Sequence, residues 1–350
     1  MSIKTNHPSY NAHGLFLNGK PERTTQIGGI KLDGNLMLAP MAGITDMAFR
    51  EICKDHGAAL CYGELTSAQG ILYESKNTFK LLETSPKERP VTLQLFGSDE
   101  NNLAEAAKRI EHLPFDILDI NMGCPAPKIV NGMAGSALMA FPDKVNRIVH
   151  SVSRAIAKPV TCKIRKGIGG KVTAVEVALA AEAGGAQAIG VHGRTREQQY
   201  EGVVDLGIIA AVKQAVKVPV IASGDVVDVA SAVRTFSETK VDAIMIGRGT
   251  YGDPWIFQRL NHYFDTGVEL PLPTAEEKVK MCLYHAKKLC ELKDERTGIR
   301  EMRKQSGWYI KGLHGAAALR VEINKAETFV ELEGLLMRLL EHGVRNSRGE

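Results

Sequence analysis

Eight short apolar runs, each followed by an amphipathic segment, limit the folds that this chain can adopt. The runs span 35–43, 60–66, 91–97, 117–125, 160–167, 188–194, 220–225 and 243–249. Such alternation predicts parallel strands joined by right-handed helical crossovers. The runs are apolar along their length, as expected of strands whose two faces are both covered. Eight strand–helix units in about 230 residues favour a closed TIM (β/α)8 barrel over an open doubly wound sheet.

The barrel pattern covers only part of the chain. Residues 1–34 precede it, and the segment 28–36 has the pattern of a hairpin that would close the barrel floor. The barrel is expected over 35–268. Beyond it the strand pattern stops and helical periodicity continues to the end of the chain. The helical segments are 275–292, 298–313 and 325–340. We therefore expect a small C-terminal all-helical domain over 269–350.

The overall charge and composition exclude several classes of protein. The 350 residues carry 44 Lys and Arg against 40 Asp and Glu, a formal net charge of +4, and 44% of them are hydrophobic. This composition is globular rather than disordered, and an anionic partner must be bound by a local patch. The cysteines form no zinc-type cluster, and the first residues lack the apolar core of a signal peptide. We expect a cytoplasmic protein without metal or membrane association.

The ends of the predicted strands indicate where a site would lie. In a (β/α)8 barrel the active site lies at the C-terminal ends of the strands, and phosphate groups commonly bind after strands seven and eight. Strand seven ends in SGD at 223–225 and strand eight in GRG at 247–249. Glycine permits close backbone approach to an anion, so a phosphate-bearing cofactor is expected there.

A second interpretation applies to the same segment. Residues 247–252 match the GxGxxG pattern of a Rossmann dinucleotide site. That pattern belongs in the first strand-to-helix turn of an open sheet, with an acidic residue about 20 positions later. Here it closes the eighth strand, and the context disfavours a Rossmann site.

Other predicted strands end in polar side chains. Lys163 and Arg165 share one face of strand five because side chains alternate along a strand, and His192 and Arg194 share a face of strand six. Gln94 lies on strand three. A purely structural barrel would fill such positions with bulky aliphatic residues. A neighbour could satisfy any one of these side chains, but Lys163, Gln94 and His192 jointly indicate a functional site.

Cys124 differs from the other cysteines in its position. It follows strand four between Gly123 and Pro125, and it precedes the small-residue segment 131–136, a composition typical of a movable lid. A lone cysteine is more often a buried apolar residue. Its place at the barrel mouth makes Cys124 a candidate catalytic residue. The cysteines that we expect to be structural are Cys53, Cys61, Cys162, Cys282 and Cys290.

Five motifs spread over nearly the whole chain allow comparison with known families. They are LAPMAGITD at 38–46, DINMGCP at 119–125, CKIR at 162–165, VHGRT at 191–195 and GRGTYGDPWIF at 247–257. Together they resemble the tRNA-dihydrouridine synthase family, in particular its bacterial B-type branch, with DINMGCP as the specific motif. The resemblance implies an FMN enzyme that reduces the C5=C6 bond of tRNA uridines to dihydrouridine and takes electrons from NADPH or NADH.

The resemblance also implies roles for individual residues. Cys124 would protonate C5 of the uracil, a task that needs a thiol retaining its proton. Asn121 is a candidate contact to the uracil. The residues implied in FMN binding are Pro40, Met41, Ala42, Gln94, Lys163, His192, Ser223, Gly224, Asp225, Gly247 and Arg248. Ser223 departs from the family, which commonly has Asn there, so a backbone contact would survive and an amide contact would not.

The helical tail carries most of the excess positive charge. Residues 271–350 hold 15 Lys and Arg against 12 Asp and Glu. Five basic residues would lie in one stripe about 100° wide along a helix, namely Arg296, Arg300, Arg303, Lys304 and Lys311. Glu301 interrupts this stripe, which could be only a solvated surface. The resemblance implies instead that the stripe binds tRNA, and Arg165 and Arg194 of the barrel are further candidates for RNA contact.

Two other functions remain open from the sequence. A flavin reductase for small molecules, of the dihydroorotate or dihydropyrimidine dehydrogenase kind, would share the barrel but would need no basic helical domain. A non-catalytic RNA-binding module would not need the intact set of cofactor residues. The family resemblance favours an enzyme that binds FMN, NAD(P)H and tRNA, and we expect it to be monomeric.

Overall fold

The computed structural model describes residues 24–347, and it describes side chains through residue 341. Most of the predicted N-terminal extension, up to residue 23, lies outside the described residues. The strands are β1 (Gln26–Ile27), β2 (Ile30–Lys31), β3 (Leu36–Leu38), β4 (Leu60–Ser67), β5 (Val91–Phe96), β6 (Ile117–Met122), β7 (Val160–Ile168), β8 (Lys171–Val172), β9 (Ile189–Thr195), β10 (Val220–Ser223) and β11 (Ala243–Ile246).

Eight of these strands close into a parallel barrel. The order around the barrel is β3, β4, β5, β6, β7, β9, β10 and β11, and β11 pairs with β3 to complete the ring. Each of the eight apolar runs supplies one of these strands. The predicted TIM (β/α)8 barrel is therefore confirmed.

Helices cover the outside of the barrel. They are α1 (Met47–Asp55), α2 (Ala68–Leu72), α3 (Lys76–Lys80), α4 (Glu100–Ile110), α5 (Pro127–Val130), α6 (Pro142–Ala155), α7 (Ala174–Ala183), α8 (Leu206–Ala215), α9 (Val229–Thr239) and α10 (Ile256–Thr266). Several begin at an aspartate whose carboxylate accepts a backbone N–H of the first turn, as Asp46 does for α1 and Asp99 for α4. This capping satisfies backbone donors that have no partner within the helix.

The hairpin of β1 and β2 packs against the N-terminal end of the barrel. Ile27 and the adjoining Leu32 are fully buried, and they cluster with Met37, Leu60 and Met245 from the barrel interior. The hairpin side chains Ile27 and Leu32 close the end of the barrel opposite the strand termini that carry the polar residues. Any ligand must therefore enter from the C-terminal ends of the strands.

Four helices follow the barrel, namely α11 (Ala275–Lys293), α12 (Glu295–Tyr309), α13 (Ala316–Ile323) and α14 (Phe329–Ser347). Helix α12 begins before the expected residue because Asp294 caps it, accepting the N–H of Thr297 at 2.9 Å. Gly298 lies in the first turns of this helix and faces α11. A Cβ there would lie 2.8 Å from the backbone nitrogen of Cys290, so the glycine allows α11 and α12 to pack closely. Within residues 24–347, no helix is long and apolar enough to cross a membrane.

The tail contacts the barrel mouth through aromatic residues. Trp308 of α12 stacks on Tyr251, which follows β11, with ring centroids 4.0 Å apart. Gly252 has φ +66°, and a Cβ there would lie 2.4 Å from the carbonyl carbon of Trp308. Farther along the interface, His285 of α11 stacks on Phe49 of α1. The tail is thus fixed beside the open end of the barrel.

A buried ion pair positions the loop between β3 and α1. The side chains of Arg50 and Glu88 are 2% and 0% exposed, and they bond through two nitrogens and two oxygens. The same guanidinium donates to the carbonyl oxygens of Thr45, at 2.8 Å, and Glu83, at 2.7 Å. Arg50 therefore connects the first helix to the loop that leads into the barrel mouth.

The substitution Glu88→Gln is expected to lower the free energy of unfolding by about 3–5 kcal/mol, because it leaves a buried guanidinium without its counter-charge. Denaturant titration measures this loss. The control is Glu276→Gln on α11, which breaks an exposed pair with Lys280 and should leave the free energy of unfolding unchanged. A loss no greater than that of the control would contradict the importance of the buried pair.

Candidate active site

A cavity of about 630 Å³ opens at the C-terminal ends of the barrel strands. Its size lies within the usual range of small-molecule and cofactor sites, about 300–1,000 Å³. All eleven residues expected to bind the cofactor line it. Cys124, Asn121, Arg165 and, from the tail, Lys304 line it as well. The barrel closure and the packing of the tail thus bring together residues as distant in the sequence as Pro40 and Lys304.

The loop after β3 carries Pro40, Met41 and Ala42 along one side of the cavity. The N–H of Met41 donates to the hydroxyl of Thr45 at 3.0 Å, and the N–H of Gly43 donates to the carboxylate of Glu64 on β4. Burial raises the pKa of Glu64. Sequence reasoning missed Glu64, although its place near the end of the second strand marks it as a candidate of the same kind as Gln94.

A hydrogen-bonded series of side chains lies in the floor of the cavity. Asp119 is 1% exposed and accepts from the Nε2 of Gln94 at 2.7 Å. The Oε1 of Gln94 accepts from the Nδ2 of Asn121 at 2.9 Å. The Oδ1 of Asn121 accepts the N–H groups of Gly123 at 3.1 Å and Cys124 at 2.8 Å. Asn121 therefore fixes the backbone of the Cys124 loop.

The segment after Cys124 turns back against it. Ser136 donates its N–H to the carbonyl oxygen of Cys124 at 3.0 Å. Gly135 has φ +58°, and a Cβ there would lie 2.9 Å from the same oxygen. The Cys124 thiol is half-buried, whereas Cys53, Cys61, Cys162 and Cys282 are buried. Cys290 is also half-buried, but it lies in the tail and does not line the cavity.

Two charged groups in the floor have shifted pKa values. Burial raises the pKa of Asp119 to about 6, although the hydrogen bonds from Thr161 and Gln94 act in the opposite direction. Burial lowers the pKa of Lys163 to about 8, and the charge of Arg165 adds to this effect. Lys163 makes no hydrogen bond to another described residue. Its ammonium is therefore available to a ligand in the cavity.

The surroundings of His192 favour its neutral form. Burial lowers its pKa well below the ordinary value, and the charges of Lys163 and Arg165 add to this effect. Its Nδ1 lies 3.5 Å from the hydroxyl of Ser223, and its Nε2 is buried without a partner among the described residues. The side chain of Ser223 thus contacts His192, where the family commonly has an amide.

Asp225 connects three loops at the end of the cavity where a phosphate group is expected to bind. Its φ is +54°, and its carboxylate accepts from Arg194 at 2.5 Å, from the N–H of Val204 at 3.0 Å and from Arg248 at 3.1 Å. Burial acts to raise the pKa of this carboxyl, but the Arg194 hydrogen bond and the nearby cationic charges hold it below its usual value. The Asp225 carboxylate is therefore engaged by protein groups. A ligand at this end of the cavity would meet the backbone rather than this carboxylate.

Two arginines expected to contact RNA are engaged within the barrel. Arg194 is 1% exposed and also donates to the carbonyl oxygens of Glu201 and Gly202. These bonds assign Arg194 to holding the loop after β9, and its contact with RNA stays a prediction. Arg165 lines the cavity, and its Nε donates to the carbonyl oxygen of Gly123 at 2.7 Å. The Nη1 of Arg165 bonds two further carbonyl oxygens, and its Nη2 makes no hydrogen bond to a described residue.

Tyr200 is a cavity residue that sequence reasoning missed. It lies on the loop after β9, is 54% exposed and lines the cavity. The Arg248 guanidinium lies 4.9 Å from its ring centroid and that of Arg165 lies 5.7 Å away, while its ring meets His192 edge-on. Such cation–π contacts orient an aromatic ring. The available signal was an aromatic residue in a long loop after a polar strand end.

The basic stripe of the tail is only partly open to solvent. Arg296, Arg300 and Lys304 are exposed on α12, and Lys311 is exposed just beyond its end. Arg303 is half-buried and donates to the carbonyl oxygen of Ala326 at 2.9 Å, so it is engaged within the tail. The Lys304 ammonium lies 5.1 Å from the ring centroid of Trp308. Lys304 therefore joins the stripe to the cavity.

These features define a class of protein, a (β/α)8-barrel enzyme with a cationic cavity at its mouth and a helical tail beside it. A family model described as Dihydrouridine synthase (Dus) matches residues 37–342. The chain belongs to the tRNA-dihydrouridine synthase family, as its motifs indicated. Two relatives are named tRNA-dihydrouridine synthase B. That of Pseudomonas aeruginosa is 41% identical over 303 residues, which cover 86% of this chain and 91% of that protein.

The second relative supports the same branch. The protein of Shewanella oneidensis is 39% identical over 323 residues, which cover 92% of this chain and 100% of that protein. These similarities place the chain in the B-type branch. They favour tRNA-dihydrouridine synthase activity over a reductase for small molecules and over a non-catalytic module.

Two solved structures share the fold at low sequence identity. A complex of 2-naphthoyl-CoA reductase gives a TM-score of 0.53 at 10% identity, over 68% of this chain and 51% of that chain. Histamine dehydrogenase from Rhizobium sp. 4-9 gives 0.52 at 12% identity, over 75% of this chain and 50% of that chain. This chain spans about half the length of each. The likeness shows the barrel fold alone.

Proposed function

We propose that this protein reduces tRNA uridines with FMN as bound cofactor, NADPH or NADH as electron source and Cys124 as proton donor. The observation that carries the proposal is the convergence of the candidate flavin residues, Cys124 and Lys304 on one cavity. Lys304 of the tail lines the same cavity as these barrel residues. A cavity built in this way suits a substrate that is far larger than the nucleobase that reacts.

The residues of the cavity fit an anionic flavin. The ammonium of Lys163 has no partner among the described residues, and the Nε2 of His192 is buried without one. Left-handed backbone at Gly224 and Asp225, with φ +127° and +54°, follows β10 where phosphate commonly binds. Arg248 adds positive charge at that end. When bound, the flavin supplies the hydride for the uracil ring and is recharged by the nicotinamide.

The role of Cys124 follows from the charge of the reaction. Hydride addition at C6 of a uracil leaves negative charge, which is neutralised when C5 takes up a proton. Cys124 lines the cavity, and its backbone is fixed by Asn121. Its Sγ–H therefore gives the proton, and Asn121 keeps one N–H of its Nδ2 for the uracil.

The protein purified under native conditions is expected to carry FMN, because a cationic cavity of this size at the phosphate end of a barrel suits that cofactor. Absorption spectroscopy and mass analysis of the released cofactor measure the content, and added NADPH should bleach the spectrum. A protein that neither retains nor takes up FMN would refute the proposed chemistry.

The substitution Cys124→Ala is expected to preserve bleaching of the flavin by NADPH and to reduce dihydrouridine formation in tRNA by about 10²-fold or more, because a general acid is lost. Rapid-mixing absorbance and dihydrouridine analysis measure the two steps. Cys290→Ala, the other half-buried cysteine, is the matched control and should leave both steps unchanged. Equal dihydrouridine yields in both variants would exclude Cys124 as the acid.

The tail is proposed to bind the tRNA next to the cavity. A folded RNA is recognised largely through shape and phosphate contacts, and the target base must leave its stack to enter the barrel mouth. Arg300 and Lys304 are exposed on the same helix, and Lys304 reaches the cavity wall. This position lets the stripe contact RNA while a uridine lies inside.

Reversal of both charges, Arg300→Glu with Lys304→Glu, is expected to weaken tRNA binding and to reduce the slope of log affinity against log salt by about 2, one for each lost phosphate contact. Binding titrations at several salt concentrations measure the slope. Lys31→Glu with Lys108→Glu makes the same charge change near the barrel floor and should preserve it. If the two double variants had similar slopes of log affinity against log salt, the stripe would contribute to solubility and not to tRNA binding.

A further inference from the structure

The side chains beneath Cys124 form a directed series of hydrogen bonds. We call Asp119, Gln94 and Asn121 the amide chain. Asn121 donates to Gln94, Gln94 donates to Asp119, and the series ends at the Asp119 carboxylate, which only accepts. At the upper end, Asn121 accepts the N–H groups of Gly123 and Cys124. The three members are at most 8% exposed, so water does not replace these partners.

The direction of the amide chain follows from its two ends. Backbone N–H groups can only donate, so the oxygen of Asn121 faces Gly123 and Cys124. The nitrogen of Asn121 then faces Gln94, which must present its oxygen there. The nitrogen of Gln94 is left facing Asp119, and a carboxylate oxygen accepts from it. One consistent assignment of donors and acceptors therefore runs through the whole chain.

This direction determines what the cavity offers to a ligand. The Nε2 of Gln94 carries two N–H groups, of which one is used by Asp119, and the Nδ2 of Asn121 likewise keeps one. Lys163, which lines the same cavity, can only donate. The floor thus presents donors to the acceptor edge of a bound molecule. If the Gln94 amide were reversed, its oxygen would face Asp119 and its nitrogen would face Asn121. The free N–H would then point in a different direction.

We propose that Asp119 is a positioning residue that sets the direction of the Gln94 amide and thereby makes the cavity floor a donor surface. Asp119 lies below the cavity lining and acts through Gln94. Thr161 donates to its other oxygen at 2.6 Å, so both oxygens of the carboxylate accept. The inference rests on the proposed function for the identity of the ligand, FMN, and on the structure alone for the amide chain.

The first experiment distinguishes the effect of the hydrogen-bond acceptor that Asp119 provides from the effect of its negative charge. Asp119→Asn keeps an oxygen for Gln94 while Thr161 accepts from the new amide. The double variant Asp119→Leu with Thr161→Val has the same heavy-atom count and removes the acceptor without leaving Thr161 unpaired. FMN affinity should fall about tenfold or more in the double variant, as expected for loss of a buried hydrogen bond, and less than about threefold in Asp119→Asn.

Two results of the first experiment would overturn the proposal. Equal losses of affinity in both variants would assign the effect to the charge of Asp119. Unchanged affinity in both variants would show that the direction of Gln94 has no influence on the ligand.

The second experiment reverses the amide chain. Asn121→Asp places acceptors at both sides of Gln94 and should lower the midpoint of thermal unfolding. Adding Asp119→Asn restores a complete set of hydrogen bonds with Gln94 turned round, at the net charge of the wild-type protein. We expect the midpoint to recover while FMN affinity stays about tenfold or more below wild type. Recovery of both the unfolding midpoint and the FMN affinity would show that Asp119 has a structural role only.

The thermal unfolding cycle also separates this proposal from the proposed function, since it needs no flavin. If the wild-type protein binds no FMN, the proposed function fails, and recovery of the midpoint in the double variant still supports the amide chain. If the wild-type protein binds FMN and the midpoint does not recover, the amide chain fails while the proposed function stands.

Discussion

The pairing of β11 with β3 closes the sheet, and the rest of the molecule depends on that closure. A closed parallel barrel has no free edge, and all its strands end at the same rim. Residues as distant in sequence as Pro40 and Arg248 become neighbours at that rim. The opposite end is filled by Ile27 and Leu32 from the N-terminal hairpin. The closure therefore creates a single mouth.

The polar groups at the mouth differ in what they can do. Arg194 and Asp225 bond to each other and to neighbouring loops, and Arg194, whose Nη1 is buried without a partner among the described residues, does not line the cavity. Lys163 and His192 do line the cavity, and each keeps a nitrogen atom without a hydrogen-bond partner among the described residues. Buried polar groups are normally hydrogen-bonded, because an unpaired one loses the stabilisation that it had in water. The unpaired nitrogens of the two cavity-lining residues thus mark the part of the mouth arranged for a ligand. The occupied groups hold the surrounding loops in place.

The tail is continuous with the mouth. The stack of Trp308 on Tyr251 and the close approach at Gly252 bring α12 to the loop after β11, the loop whose first residues face the phosphate end of the cavity. Lys304 lies one turn before Trp308 and reaches the cavity wall. The proposed RNA contact on this helix and the proposed cofactor contact on that loop are separated by one pair of stacked rings.

The amino-acid sequence determined the eight strands, the barrel class and the family, because apolar periodicity and the DINMGCP motif are local features. It also made Gln94, Lys163, His192 and Cys124 candidate site residues, because polar side chains at or near the ends of barrel strands are typical of a site. Only the tertiary structure decided that Arg194 and Arg303 are engaged within the fold, that Tyr200 lines the mouth, that Glu64 holds the loop after β3, and that Asp119 orients Gln94. The reason is physical: whether a charged side chain is free or occupied depends on partners from distant segments, and chain closure alone brings them within hydrogen-bonding distance.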